Sequence, residues 1–350
     1  MEIHQILPTI SPGDAIGNEV LEIQNVLREW GYESNIYAQN VHPEVNAKKY
    51  SEYKKISSQD NILIFHFSIG SDISDFIKEL PDKKILFYHN MTPFEYFYGI
   101  NETLVHLLRN GRNELRSLVN YIDLAIGDSE YNRLELQEMG FKKTDVMSLL
   151  LDFEKYKKPN EQLLKRYEDE YVNILFVGRI VPNKKQEDLI KIYYYYKSIN
   201  PKSRLFLIGG YEGCETYYYF LQDLIRNLNL KGVHLLGKID FHDLIAYYHL
   251  ADVFLCMSEH EGFCVPLLES MNFGVPIIAY NSTAIPYTLG NTGILVNKKR
   301  YDEIAEMVHI LIEDKKLKNS IIKKQKERLN DFEKEKIIHK FYDILHRMMK

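Results

Sequence analysis

The stretch SEHEGFCVPLLESMNFGVPIIA, residues 258–279, constrains the fold more than any other part of the chain. Its pattern is a loop, a short helix opened by a proline, a glycine stop and a buried strand. Pro266 suits the first turn of a helix, where its missing N–H would have no partner anyway. Gly274 suits the position just after the helix, and Pro276 follows it. Such a helix start offers N–H groups around Cys264, Val265, Leu267 and Leu268 at the positive end of the helix dipole, a seat for phosphate. Glu261 in the loop and Glu269 in the first helical turn bracket that seat. A charged acceptor binds O–H donors strongly, so a carboxylate beside a phosphate suits sugar hydroxyls. A sugar joined to a diphosphate is the ligand this implies. Acidic groups near a helix start are also ordinary stabilisers, worth about 0.3–1 kcal/mol each. The window alone leaves both readings open.

Strand and helix patterns alternate upstream of it. Residues 3–10 read as an apolar strand, 11–18 as a turn-rich loop, 19–30 as a helix closed by Gly31, and 32–38 as the next strand. That is the opening unit of a doubly wound α/β domain. Gly13 and Gly17 are too widely set for a dinucleotide fingerprint, which disfavours a nicotinamide site. Buried parallel strands are expected at 61–68, 84–90, 121–129 and 146–151. Ligands of such sheets bind at the carboxyl ends of strands, where His89 falls. His66, in mid-strand, reads as a hydrogen-bonded core histidine, and Asp128, Ser129 and Glu130 read as a helix cap. Arg109, Arg112 and Arg116 share a helical face backed by Leu104, Leu108, Leu115 and Leu118. That face is either solvated or a seat for an anionic bilayer or acceptor, and Gly111 weakens its helix.

The charged run 155–171 marks a junction, giving domains at 1–153 and 154–334. A second alternation follows, with strands at 172–178, 204–210, 233–237, 252–258, 276–280 and 293–296. Helices are expected between them at about 185–199, 215–228, 241–250 and 266–273, and after them at about 301–312. In the first loop of this unit, GRIVPNKKQ, Arg179 and Lys184 stand at a strand end. Two cations there can clamp a pyrophosphate and neutralise charge on a departing phosphate. Lys185 is near enough to compete for the assignment. Residues 316–350 read as charged helix, with Ile337, Phe341, Ile344, Leu345 and Met348 as an apolar stripe.

At 350 residues and a net charge of −5, the chain suits two ordinary domains, and nucleic acid is not an expected partner. Cys214, Cys256 and Cys264 lack paired spacing, so neither a disulfide framework nor a zinc site is indicated and a reduced, cytoplasmic setting is the default. No signal peptide is expected from MEIHQILPTI. No run approaches the ~18 apolar residues of a membrane span.

The segments FVGRIVPNKK, LIGG, LLGKID, ADVFLCMSEHEGFCVPLLESMNFGVPIIA and TGILV, in that order, resemble the retaining GT-B glycosyltransferases of the E-x7-E family (glycosyl transferases group 1, family 4). The resemblance covers nearly all of the second domain. In the first, GDAIGN, YHNMTP and DLAIGDSEYN are similar to a subgroup making bacterial surface polysaccharides. It implies an α/β GT-B fold, two Rossmann-like domains facing across a cleft, with a terminal helix at about 335–350 joining the first. By position, Glu269 would take ribose hydroxyls and Glu261 would sit near the donor sugar. Arg179 and Lys184 would bind the diphosphate, Gly17 would lie in a loop under the phosphates, and His89 would stand near the 6-position of the sugar. Gly237, Lys238 and Ile239 would hold the base by backbone contacts, with Gly262, Phe263, Cys264, Val265 and Leu268 around the donor. Where the family usually has glycine this chain has Cys264, whose side chain would narrow the sugar pocket or shift backbone donors.

The activity implied is retaining transfer of a hexose to a hydroxyl of a glycan or lipid-linked acceptor, with no metal or other cofactor. A UDP-sugar such as UDP-glucose is favoured as donor, GDP-mannose next. Peripheral contact with the inner membrane face accompanies that setting. Two rivals remain: a GT-B nucleotide-sugar epimerase, which needs no acceptor, and a non-catalytic sugar-nucleotide-binding protein.

Overall fold

The computed structural model describes residues 1–11 and 15–349. Gly13 and Lys350 therefore lie outside the described residues. The chain divides into two compact units, one of residues 1–95, 103–151 and 332–350, the other of 96–102 and 152–331.

The first unit is built on a parallel sheet of β1 (Ile3–Ile10), β2 (Ile36–Val41), β3 (Lys48–Lys49), β4 (Ile62–Phe67), β5 (Lys83–Tyr88), β6 (Leu124–Gly127) and β7 (Thr144–Val146). Their spatial order is β3-β2-β1-β4-β5-β6-β7. β4 is buried along its whole length, as a strand covered on both faces must be. Helices α1 (Ala15–Glu29), α2 (Ile73–Phe76), α3 (Glu102–Ser117) and α4 (Glu130–Met139) connect the strands. A terminal helix, Lys334–Met349, buries Ile337, Phe341, Ile344 and Leu345 in the same core as Ile3, Ile64 and Ile85.

The second unit is a parallel sheet of β8 (Val172–Val177), β9 (Ser203–Ile208), β10 (Val233–Gly237), β11 (Val253–Cys256), β12 (Ile277–Tyr280) and β13 (Ile294–Val296), in the order β10-β9-β8-β11-β12-β13. Its helices are α5 (Glu161–Arg166), α6 (Gln186–Ile199), α7 (Glu215–Asn227), α8 (Phe241–Leu250), α9 (Val265–Phe273), α10 (Ile285–Leu289), α11 (Tyr301–Glu313) and α12 (Lys315–Leu329). In each sheet the strand order reverses once, between β1 and β4 and between β8 and β11. That switch point is where doubly wound sheets bind ligands.

Three local expectations are corrected. The second strand begins at Ile36, because Tyr32 N–H closes the end of α1 on Leu27 O and Ser34 O is held by Gln24 and Arg28. β7 ends at Val146 rather than Leu151, and Leu149 and Leu150 are buried without strand pairing. The helix after β1 begins at Ala15, which places Gly17 in its first turn and not in a loop.

Gly111 has a packing reason to be where it is. A Cβ there would stand 2.6 Å from Gly70 N and 2.8 Å from Met91 Sδ. Helix propensity alone favours alanine by about 1 kcal/mol, whereas overpacking costs about 1–3 kcal/mol. Gly111→Ala is expected to destabilise the protein in urea titration; a stabilised variant would contradict the tight approach of α3 to Gly70.

Candidate functional site

At the switch point of the second unit, the loops after β8 and β11 bring opposite charges together. Lys184 ends a short 3-10 turn opened by Pro182, and its Nζ lies 2.5 Å from Glu261 Oε2. Both side chains are largely buried, 19% and 10% exposed. Burial works against the ammonium charge, but the Glu261 carboxylate outweighs it and holds the Lys184 pKa above the ordinary lysine value. Lys184 is therefore a cation at neutral pH. Lys185 turns away in a left-handed conformation, pairing with Glu259 at 3.4 Å and Glu187 at 3.5 Å. Arg179 is exposed and donates to Glu212 O at 3.2 Å.

The loop after β11 is fastened from both sides. Asn183 donates to His260 O at 3.0 Å and accepts at its own carbonyl from Glu259 N at 2.8 Å. From the other side Ser282 donates to Ser258 O, Thr283 accepts from Glu261 N and Thr288 donates to Phe263 O, all within 2.6–2.9 Å. A carboxylate on so fixed a backbone is preorganised, which is how protein dipoles act on developing charge without reorganising. The loop ends at Cys264, the residue capping α9, with φ of 71°. Of the donors expected at this helix start, the Leu267 N–H is taken by Cys264 O at 3.0 Å. Val265 is half-buried, and Phe263, Cys264 and Leu268 are buried.

Glu269 faces inward from α9 and accepts from Tyr248 at 2.5 Å and Tyr156 at 2.7 Å. Burial raises its pKa, while the two phenols oppose the shift. A carboxylate has about four lone-pair sites, so two remain for further O–H donors. Gly237 carries φ of 66° at the end of β10, and its carbonyl accepts from Gly209 N, a fixed position for backbone recognition. Lys238 is exposed and Ile239 half-buried beside it.

In the first unit, His89 follows β5 with its side chain 1% exposed. Its Nδ1 lies 3.0 Å from Asp128 Oδ2 and 3.7 Å from Glu19 Oε2, and its Nε2 lies 3.0 Å from His66 Nδ1. The protons in this chain can be placed. Gln5 donates its amide to Val20 O, so its carbonyl oxygen is the acceptor facing His66 Nε2 at 2.9 Å. His66 therefore carries its proton on Nε2. Burial, with the charge of His89, pushes the His66 pKa well below the ordinary value, so its Nδ1 is a bare acceptor. His89 must then carry a proton on Nε2, while its Nδ1 faces Asp128, whose own pKa is raised by burial against the opposing pull of His89. Donation from His89 to a sugar hydroxyl would require release of one of these bonds.

Sequence reasoning missed several of these partners. Ser129 does cap α4 by accepting from Asn132 N, but Asp128 points to His89 and not into the cap. His66 is a core histidine, yet one that bonds to His89. The basic face of α3 is partly spent: Arg112 pairs with Glu135 at 2.6 Å, Arg109 lies over the Phe94 ring at 4.7 Å, and Arg116 is exposed. Two groups have donor atoms within 4.8 Å of one another, Glu19–His66–His89 and Cys256–Glu261–Cys264, as a metal would need. In the first the imidazoles already share a proton, and in the second Lys184 occupies the carboxylate. No described helix is long and apolar enough to cross a membrane.

Residues 158–328 match the model of the family Glycosyl transferases group 1, nearly the whole second unit. Among curated relatives, the chain is 30% identical over 138 residues to an O-antigen chain mannosyltransferase B of Escherichia coli, covering 39% of this chain and 35% of that protein. It is 31% identical over 181 residues to the capsular polysaccharide biosynthesis glycosyltransferase CapM of Staphylococcus aureus, covering 49% and 45%. These matches thus span less than half of either relative. Among solved structures, sucrose-phosphate synthase from Thermosynechococcus elongatus superposes with a TM-score of 0.78 at 15% identity over 99% of both chains. Anabaena HepE in complex with UDP-glucose gives 0.76 at 16% identity over 99% of this chain and 100% of that one. The fold is therefore GT-B, with two Rossmann-like units.

Proposed function

We propose that the chain is a retaining glycosyltransferase of the E-x7-E type, moving a hexose from a nucleotide diphosphate sugar to a glycan or lipid-linked hydroxyl. The observation that carries this reading is the buried Lys184–Glu261 pair at the switch point of the second unit. Lys184 is a cation held ready for an arriving diphosphate, which would compete with Glu261 for the ammonium. Arg179, released from Glu212 O, adds a second charge. Together they stabilise the phosphate as the glycosidic bond breaks, the part a divalent ion plays in other transferases, so turnover is metal-independent. Glu261 then faces the sugar as an electrostatic and positioning group, and Glu269 receives ribose hydroxyls on its remaining lone pairs. The departing phosphate takes the acceptor proton in a front-side attack.

A uridine donor such as UDP-glucose is favoured over GDP-mannose. HepE is described with UDP-glucose, whereas the relative from Escherichia coli is a mannosyltransferase. Thermal shift against UDP-, GDP- and ADP-sugars tests this, since a ligand at 100 times its Kd adds about 2.7 kcal/mol to the folded state. Stabilisation by one nucleotide series, followed by transfer that survives a chelator, is the expected result. No shift with any series, or turnover abolished by the chelator, would overturn it.

A further inference from the structure

The loop between β11 and α9 carries a thiol at each end. Cys256 is the last residue of β11, fully buried and paired in register with Ala279 of β12. Cys264 caps α9, is buried, and holds a left-handed backbone conformation that a residue with a Cβ seldom adopts. Both are free cysteines, and their sulfurs lie within 4.8 Å of one another and of a Glu261 carboxylate oxygen. A zinc ion would need both sulfurs and that carboxylate, but the Lys184 ammonium already stands on Glu261 at 2.5 Å.

We propose that Cys256 and Cys264 form a reversible disulfide that switches the loop after β11 out of its donor-binding shape. In the reduced protein the Cys264 thiol hydrogen-bonds to the Cys256 sulfur, which lowers the Cys256 pKa against the opposing effect of burial, while the Cys264 pKa is raised, so Cys256 is the more easily ionised sulfur of the two. With a peroxide as oxidant, the Cys256 thiolate attacks one peroxide oxygen. The O–O bond breaks, hydroxide leaves, and Cys256 becomes a sulfenic acid. The Cys264 sulfur then attacks the Cys256 sulfur, the S–O bond breaks, and water departs with the thiol proton. Two electrons pass from the sulfurs to the peroxide, and a small dithiol returns them.

Closing the bridge brings the sulfurs to about 2.05 Å. Cys256 is held in β11 by its pairing with Ala279 of β12, whereas Cys264 lies outside the sheet, so Cys264 must do the moving. Its carbonyl bond to Leu267 N and the N–H groups at the start of α9 move with it. The effect on ligand binding rests on the donor reading above; formation of the bridge does not.

The test uses the full chain exposed to hydrogen peroxide and then unfolded for thiol counting and peptide mapping. One of the three thiols, Cys214, is expected to remain, with residues 256 and 264 in one cross-linked peptide. Cys264→Gly removes the partner and relieves the backbone, and should give no cross-linked peptide under the same exposure, its Cys256 going no further than the sulfenic acid that a dithiol returns to the thiol. Cys214→Ala should still lose two. Bridged protein should bind UDP-glucose about tenfold more weakly by titration, within the usual range of coupling between sites, and recover with a dithiol. Three thiols surviving, oxidation confined to a single cysteine, or equal loss in Cys264→Gly would overturn the bridge. Equal binding by bridged and reduced protein would overturn the switch. If the reduced protein binds no sugar nucleotide, the donor reading fails while the thiol count still decides the bridge.

Discussion

Replacing Lys184 with methionine is expected to lower sugar transfer about 10²–10³-fold, the loss typical of one donor to a developing oxyanion. Substrate affinity should fall less, because the charge on the phosphate is greatest as the bond breaks. The substitution also leaves the buried Glu261 carboxylate without its cation. Breaking one side of a buried pair costs on the order of 3–5 kcal/mol of stability, so loss of activity alone would not distinguish a dead site from an unfolded one. The double variant Lys184→Met with Glu261→Gln removes that difficulty. Neutral groups of similar size are tolerated where a lone charge is not, and the double variant should regain most of the lost stability in urea while remaining inactive. Activity near wild type in either variant, measured at saturating donor, would remove Lys184 from the chemistry. A double variant no more stable than the single one would mean that the pair does not carry the local packing.

Much of the framework was legible because parallel strands buried on both faces read as unbroken apolar runs. β1 falls at its expected position for that reason; the half-buried edge strand β10 and the helix α8 also fall where expected, each marked by its own apolar pattern. Arg179, Lys184 and Glu261 stand in loops beside strand ends, as their spacing suggests, but Glu269 lies in the middle of α9 and not in its first turn, because the helix already begins at Val265. Their partners were not legible. Tyr156 and Tyr248 carry no local mark of reaching Glu269, as one lies inside the charged run at the junction and the other inside an apolar helix. Asn183 and Thr283 look like ordinary loop residues until tertiary hydrogen bonds tie them to the loop after β11. Lys184 and Lys185 are indistinguishable in sequence. The left-handed turn at Lys185 is what sends one ammonium to Glu261 and the other to Glu259.

The first unit offers the other large effect, in the pH dependence of stability. Glu19 lies in α1 with Oε1 accepting weakly from Leu150 N at 3.4 Å and Oε2 without a hydrogen-bond partner among the described residues. Burial pushes its pKa up to about 8, with His89 pulling it down and Asp128 pushing it further up. In the unfolded chain the same group ionises near the ordinary glutamate value of 4.5. Between those values the folded state keeps a proton that the unfolded state has lost, so stability falls as pH rises from about 4.5 to about 8. His66 acts in the opposite direction. Its lowered pKa keeps it neutral in the fold while the unfolded chain protonates it, so stability also falls as pH drops below 6.5. Glutamine copies the protonated Glu19 in shape and charge and still offers a carbonyl to Leu150 N. Glu19→Gln should therefore match wild type near pH 5 and gain on the order of 3 kcal/mol over it by pH 8, with the acid-side loss unchanged. Urea midpoints across that range, at constant m, measure it directly. Parallel curves for the two proteins would mean that Glu19 ionises in the fold as it does in the open chain, and that the two carboxylates beside His89 do not share a single negative charge.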